Sequence, residues 1–93
     1  MTTIWKYELR VADEQTVMMP KGARILSVAV QRGKPCLWAM VDDREEKRVA
    51  RTIQLHGTGL LAPGAENDVF LGTVLLDGGW LVYHVFEKRG GRA

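Results

Sequence analysis

The stretch Trp80-Leu81-Val82-Tyr83-His84-Val85-Phe86 constrains the fold more than any other. Read as a strand, it places Trp80, Val82, His84 and Phe86 on one face and Leu81, Tyr83 and Val85 on the other, so neither face is built for water. Cover on both sides must come from a second sheet or from another subunit. The hydrophobic period is two nearly everywhere else as well. Residues 4–10 alternate Trp5, Tyr7 and Leu9 with Lys6, Glu8 and Arg10, and residues 15–19 form a short run stopped by Pro20. Residues 24–31 and 36–42 flank Arg32-Gly33-Lys34-Pro35, where Gly33 can supply the positive φ of a hairpin. Val49, Arg51, Ile53 and Leu55 alternate with Ala50, Thr52 and Gln54, and residues 69–76 and 80–87 flank the hairpin signal Asp77-Gly78-Gly79. The expected fold is all-β: a small antiparallel β-sandwich or barrel-like sheet of six or seven strands over residues 1–87, then a basic, flexible tail at 88–93. The competing reading keeps one short helix within residues 43–66, because Arg44, Glu45, Glu46 and Lys47 favour helices.

Composition narrows the function classes. With 93 residues, 46% hydrophobic and 26% charged, the chain reads as one ordinary globular domain, not as a disordered chain or a coiled coil. One cysteine cannot close an internal disulfide, and Cys36, His56 and His84 are too few for a four-ligand zinc site, so neither metal nor cofactor is expected. No apolar run approaches the roughly 20 residues that span a bilayer, and charges spread through residues 1–15 leave no secretory leader. A cytoplasmic location is the expectation. Lys88, Arg89 and Arg92 put +3 on the tail against a net charge of +2, so residues 1–87 carry −1 and the body is not basic. A domain this small buries only about 60 to 65% of its unfolded surface, which favours self-association as a homodimer or larger assembly.

One segment breaks the strand pattern. His56-Gly57-Thr58-Gly59 runs into LLAPGAEND at 60–68, a long connection for a small domain. Gly57 and Gly59 allow backbone amides to converge on an anionic group, with the Thr58 hydroxyl, a charge from Arg51 or His56, and Trp80 or His84 as a wall. The competing reading is a plain glycine turn, since the spacing matches no phosphate loop and no clear helix follows. His84 on an apolar strand is either a hydrogen-bonded packing residue or an acid, base or ligand contact. Cys36 with His84 would supply a thiol nucleophile, but its position at a strand start reads as a small buried thiol. Asp42, Asp43, Glu45 and Glu46 lie in a solvated turn without the burial that tunes acid–base work. Trp5, Trp38 and Trp80 read as core packing. No catalytic constellation emerges, so an enzyme is not expected.

Several blocks carry a resemblance: Ile4-Trp5-Lys6-Tyr7-Glu8-Leu9, Met19-Pro20-Lys21-Gly22-Ala23, Ile25-Leu26-Ser27-Val28, Lys34-Pro35-Cys36-Leu37-Trp38-Ala39, Gly57-Thr58-Gly59, Leu71-Gly72-Thr73 and Val82-Tyr83-His84-Val85-Phe86-Glu87. Through them residues 3–87 resemble a domain-of-unknown-function family common in bacteriophage and prophage genomes. The resemblance implies a phage-linked accessory protein and no particular chemistry; Leu60, Leu61 and the KRGGRA tail are individual features of this chain. The expected function is therefore non-enzymatic binding by occupancy, either sequestering a small anionic, nucleotide-like ligand or blocking a host protein. The alternative is weak nucleic-acid binding through Arg24, Arg32, Lys34, Arg48, Arg51 and the tail.

Overall fold

The computed structural model describes residues 1–89, which form seven strands: β1 (Thr2–Glu8), β2 (Glu14–Pro20), β3 (Arg24–Gln31), β4 (Lys34–Asp42), β5 (Arg48–Gly57), β6 (Val69–Leu76) and β7 (Leu81–Glu87). They make two antiparallel sheets, a three-stranded one ordered β1-β4-β3 and a four-stranded one ordered β2-β5-β7-β6. The arrangement is sandwich-like. It is not barrel-like, because the sheets do not close and β1, β3, β2 and β6 all remain edges. The shortest extent of the Cα trace is 16 Å, enough for two sheet layers about 10 Å apart and no third.

Period-two patterning explains which faces meet. Met19, Leu37, Ile53, Val74 and Val85 are fully buried and come from β2, β4, β5, β6 and β7, with Trp5, Tyr7, Ile25 and Val28 packed against them. The β3–β4 hairpin turns on two residues, Arg32 (φ 52°) and Gly33 (φ 78°), both left-handed as such a turn requires, so Lys34 and Pro35 belong to the strand and not to the loop. Gly72 (φ 153°) sits at a register break in β6, where a Cβ would lie 2.6 Å from Val28 Cγ2. The two sheets meet closely there.

Among the described residues the helical pieces are 3-10 turns at Ala65–Asn67 and Asp77–Gly79. The helix formers at 44–47 instead make a turn, because nearby acceptors claim their amides: Asp42 Oδ1 accepts from Arg44 N at 3.0 Å and Glu45 Oε2 from Lys47 N at 3.0 Å. None of the helical pieces is long and apolar enough to cross a membrane. Of the expected tail, residues 90–93 lie outside the described residues. Lys88 Nζ stands 3.7 Å from Glu14, and Arg89 N donates to Asp68 Oδ1 at 3.0 Å.

Tyr7 offers a stability test away from any loop. Its hydroxyl is buried and has no hydrogen-bond partner among the described residues, and burial holds the phenol above its ordinary pKa. An acid raised on folding contributes stability below its unfolded pKa, about 10, that is lost as pH rises through the folded value. Tyr7→Phe is expected to stabilise the fold by about 1 kcal/mol at neutral pH and to flatten the alkaline limb of a urea-midpoint profile. A lower midpoint in the variant would contradict this account.

Candidate functional site

β5 and β7 lie side by side so that Gln54 faces Phe86, His56 faces His84 and Gly57 faces Tyr83. On the far side of β7, β6 brings Phe70 opposite Phe86 and Thr73 opposite His84. The break at Gly72 shifts the parity of β6, which puts Phe70, Thr73 and Leu75 on the same outward face. Two rows result: His56, His84 and Thr73, and beside them Gln54, Phe86 and Phe70. Phe86 lies against both His56 and Phe70, with ring centroids 5.6 and 5.3 Å apart.

His84 is a brace. Its Nε2 lies 2.7 Å from Thr58 Oγ1 and its Nδ1 3.0 Å from Thr73 Oγ1, and each hydroxyl can donate or accept to match the imidazole. Both ring nitrogens are thus engaged in tying the 57–60 turn to β6. His56 Nε2 is buried without a partner among the described residues. The turn closes through Leu60 N donating to Gly57 O at 3.1 Å, with Gly59 at φ 82°. Leu60 packs close over Gly57, where a Cβ would stand 3.0 Å from Leu60 Cδ1.

Three shallow clefts share Leu60. One of about 300 Å³ runs to Trp80 and Tyr83, one of about 310 Å³ to Phe70, His84 and Phe86, and one of about 340 Å³ to Leu61, Asp13 and Glu14. Of the residues singled out in the sequence, His56, Gly57, Thr58, Gly59, Trp80 and His84 converge here. Arg51 does not. It shares the parity of Ile53 and Leu55, points to the inner face, and is held by Glu87 through Nε and through Nη2 at 3.0 Å, while Nη1 donates to Ala23 O at 2.9 Å. Those bonds to Glu87 raise its pKa above the ordinary guanidinium value.

Two other expectations change. Trp80 is 85% exposed, because the β6–β7 turn uses four residues and leaves it on the hairpin tip instead of in a strand. Trp38 is half-buried on the outward face of β4, and only Trp5 packs on the core. Cys36 is buried in the three-stranded sheet, its Sγ 3.6 Å from Lys34 O, whereas His84 stands on the outward face of the other sheet, so the thiol–imidazole pair does not form. No group of three or more metal-ligating side chains is gathered among the described residues.

Sequence reasoning passed over Leu60 and Leu61, which are 72% and 93% exposed, as well as Phe70 and Leu75. The signal was an apolar pair within the connection between β5 and β6, shortly before Pro63-Gly64. Charge sharpens the picture: residues 52–87 contain no Lys or Arg but hold Glu66, Asp68, Asp77 and Glu87. Asp13, Glu66 and Asp77 make no side-chain hydrogen bond or ion pair with any described residue. The arrangement can bury an apolar surface, and among the described residues no Lys or Arg lines its clefts to hold a phosphate.

The model of a family described as "Domain of unknown function (DUF7352)" matches residues 1–93, and the chain belongs to that family. No curated protein and no solved structure matches it.

Proposed function

For this member of the DUF7352 family, we propose a non-catalytic role: binding by occupancy, with the outward face of β6–β7 and the 57–65 loop covering a partner protein. One observation supports the reading above the rest. Leu60, Leu61, Phe70 and Trp80 are exposed apolar side chains lining clefts that all share Leu60, and Leu75 is exposed on the neighbouring stretch of β6. Such a surface, rimmed by polar groups, is what a protein interface needs. A phage-linked accessory protein that blocks a host factor fits this mode, as the sequence resemblance suggests. Sequestration of a small anion is less well supported, since the Thr58 hydroxyl is committed to His84 and Arg51 to Glu87.

The test is a displayed peptide library panned against the full chain and against a Leu60→Ser/Leu61→Ser/Trp80→Ser variant. The replaced side chains are exposed, so the variant should fold. Enriched peptides are expected to lose at least about tenfold in affinity for the variant, roughly 1.4 kcal/mol. Absence of enriched peptides, or equal binding to both proteins, would remove the proposal, and heat released by a nucleotide in calorimetry would favour the anion.

A second reading draws on the opposite face, where Lys6 and Ser27 flank Trp38 and Arg24 flanks Met40. An aromatic ring among cations suits single-stranded nucleic acid. Lys34 is partly neutralised by Glu8 at 3.5 Å, which weakens it. Quenching of Trp38 by single-stranded DNA that fades with salt would support this reading; unchanged fluorescence at low salt would dismiss it.

A further inference from the structure

We propose that the partner covering the Leu60 surface is a cationic amphipathic segment, its apolar side chains seated in the clefts around Leu60 and its Lys or Arg residues facing the Asp13, Glu66 and Asp77 rim. This rests on the occupancy reading above and names the chemistry of the occupant.

The argument is one of charge complementarity. Asp13 shares a cleft with Leu60 and Leu61, and Glu66 belongs to the 3-10 turn whose Ala65 lines the cleft floored by Phe70 and Phe86. Asp77 stands on the hairpin tip that carries Trp80, whose N donates to Asp77 O at 3.2 Å. The three carboxylates therefore flank the apolar surface, and none is neutralised by a described residue. Residues 52–87 supply no Lys or Arg, and the cations of the described residues that reach this side, Lys88 and Arg89, meet Glu14 and Asp68 and not these three carboxylates. A partner with opposite charges around an apolar strip gains on both counts, and its encounter is steered by the field of the rim.

The same distribution argues against a second copy as the occupant. A two-fold dimer apposes a patch with itself, so the acidic rim would meet its own image. A head-to-tail contact with cations elsewhere on another copy would instead build a ring or an open filament, which sedimentation would report.

The experiment uses two synthetic amphipathic peptides of identical apolar pattern, one built from Leu and Lys and the other from Leu and Glu. Fluorescence anisotropy measures their binding to the full chain, to Asp13→Asn/Glu66→Gln/Asp77→Asn, and to Leu60→Ser/Leu61→Ser, while sedimentation velocity reports the size of the unliganded protein. The Leu/Lys peptide is expected to bind at least about tenfold more tightly than the Leu/Glu peptide, with that preference collapsing in the carboxamide variant. The Leu-to-Ser variant is expected to lose binding altogether. Equal binding of the two peptides, or an undiminished preference in the carboxamide variant, overturns the cationic partner and leaves the apolar docking surface standing. Failure of both peptides to bind counts against the occupancy reading itself. Retention of Leu/Lys binding by the Leu-to-Ser variant shows attraction to charge alone and also overturns the proposal, as does a dimer, ring or filament that Leu60→Ser/Leu61→Ser dissociates.

Discussion

Replacing Glu87 by Ala should cost about 2–4 kcal/mol of stability, a substantial part of the roughly 5–14 kcal/mol available to a domain of this size. Glu87 sits opposite Ile53 in the register, and its carboxylate meets the Arg51 guanidinium from the adjacent inward-facing position. The side chains are 11% and 17% exposed, so removing one partner strands a charge that water reaches poorly. Their residual exposure places the effect somewhat below that of a fully buried pair, about 3–5 kcal/mol. The readout is the urea midpoint, with the slope of the transition unchanged if only the native state is affected. Arg51→Met/Glu87→Leu should recover most of the loss, because no unpaired charge remains, although Ala23 O then loses its donor. A single variant within about 0.5 kcal/mol of the parent, or a double variant no better than the single, would show that the pair does not act this way.

Gly72→Ala should cost about 2–4 kcal/mol for two separable reasons. At φ 153° the backbone occupies a region that L residues avoid, and the added methyl would meet Val28 Cγ2 at 2.6 Å, where β6 passes β3. Val28→Ala relieves the second cause and leaves the first. In a double-mutant cycle the two substitutions should therefore couple favourably by about 1–2 kcal/mol without restoring the parent midpoint. Absence of coupling would mean that the sheets can shift apart at this corner at little cost, and a neutral Gly72→Ala would dismiss both causes. The break at Gly72 also brings Phe70 to the same face as Thr73, so the Ala variant tests the docking surface indirectly.

Particular residues show how far the one-dimensional pattern reaches. Val69–Leu76 and Arg24–Gln31 are strands with the bounds expected from their β-rich runs and the turn residues beside them, although a register break interrupts the alternation of each. Arg51 was legible too, though it was read otherwise: it shares its parity with Ile53 and Leu55, as Glu87 does with Tyr83 and Val85. Two opposite charges on core-facing positions call for each other more than for a ligand. Trp80 was not legible, because the four-residue length of the β6–β7 turn decides whether it lies in a strand or on a tip. The grouping of Leu60 with Phe70 and Trp80 was hidden for the same kind of reason, since it depends on which strands become neighbours.

Local chain chemistry settled the all-β character, most strand positions, the Arg32-Gly33 turn and the glycine turn at 57–60. Period, positive-φ residues and strand breakers act within a few residues of one another, so one dimension is enough to display them. The fold alone decided the split into β1-β4-β3 and β2-β5-β7-β6, the bracing of His84 between Thr58 and Thr73, and the gathering of exposed apolar side chains around Leu60. Those features join residues far apart in the chain. Their pairing is chosen by competition among many nearly equivalent apolar strands for burial, and no single segment records the outcome of that competition.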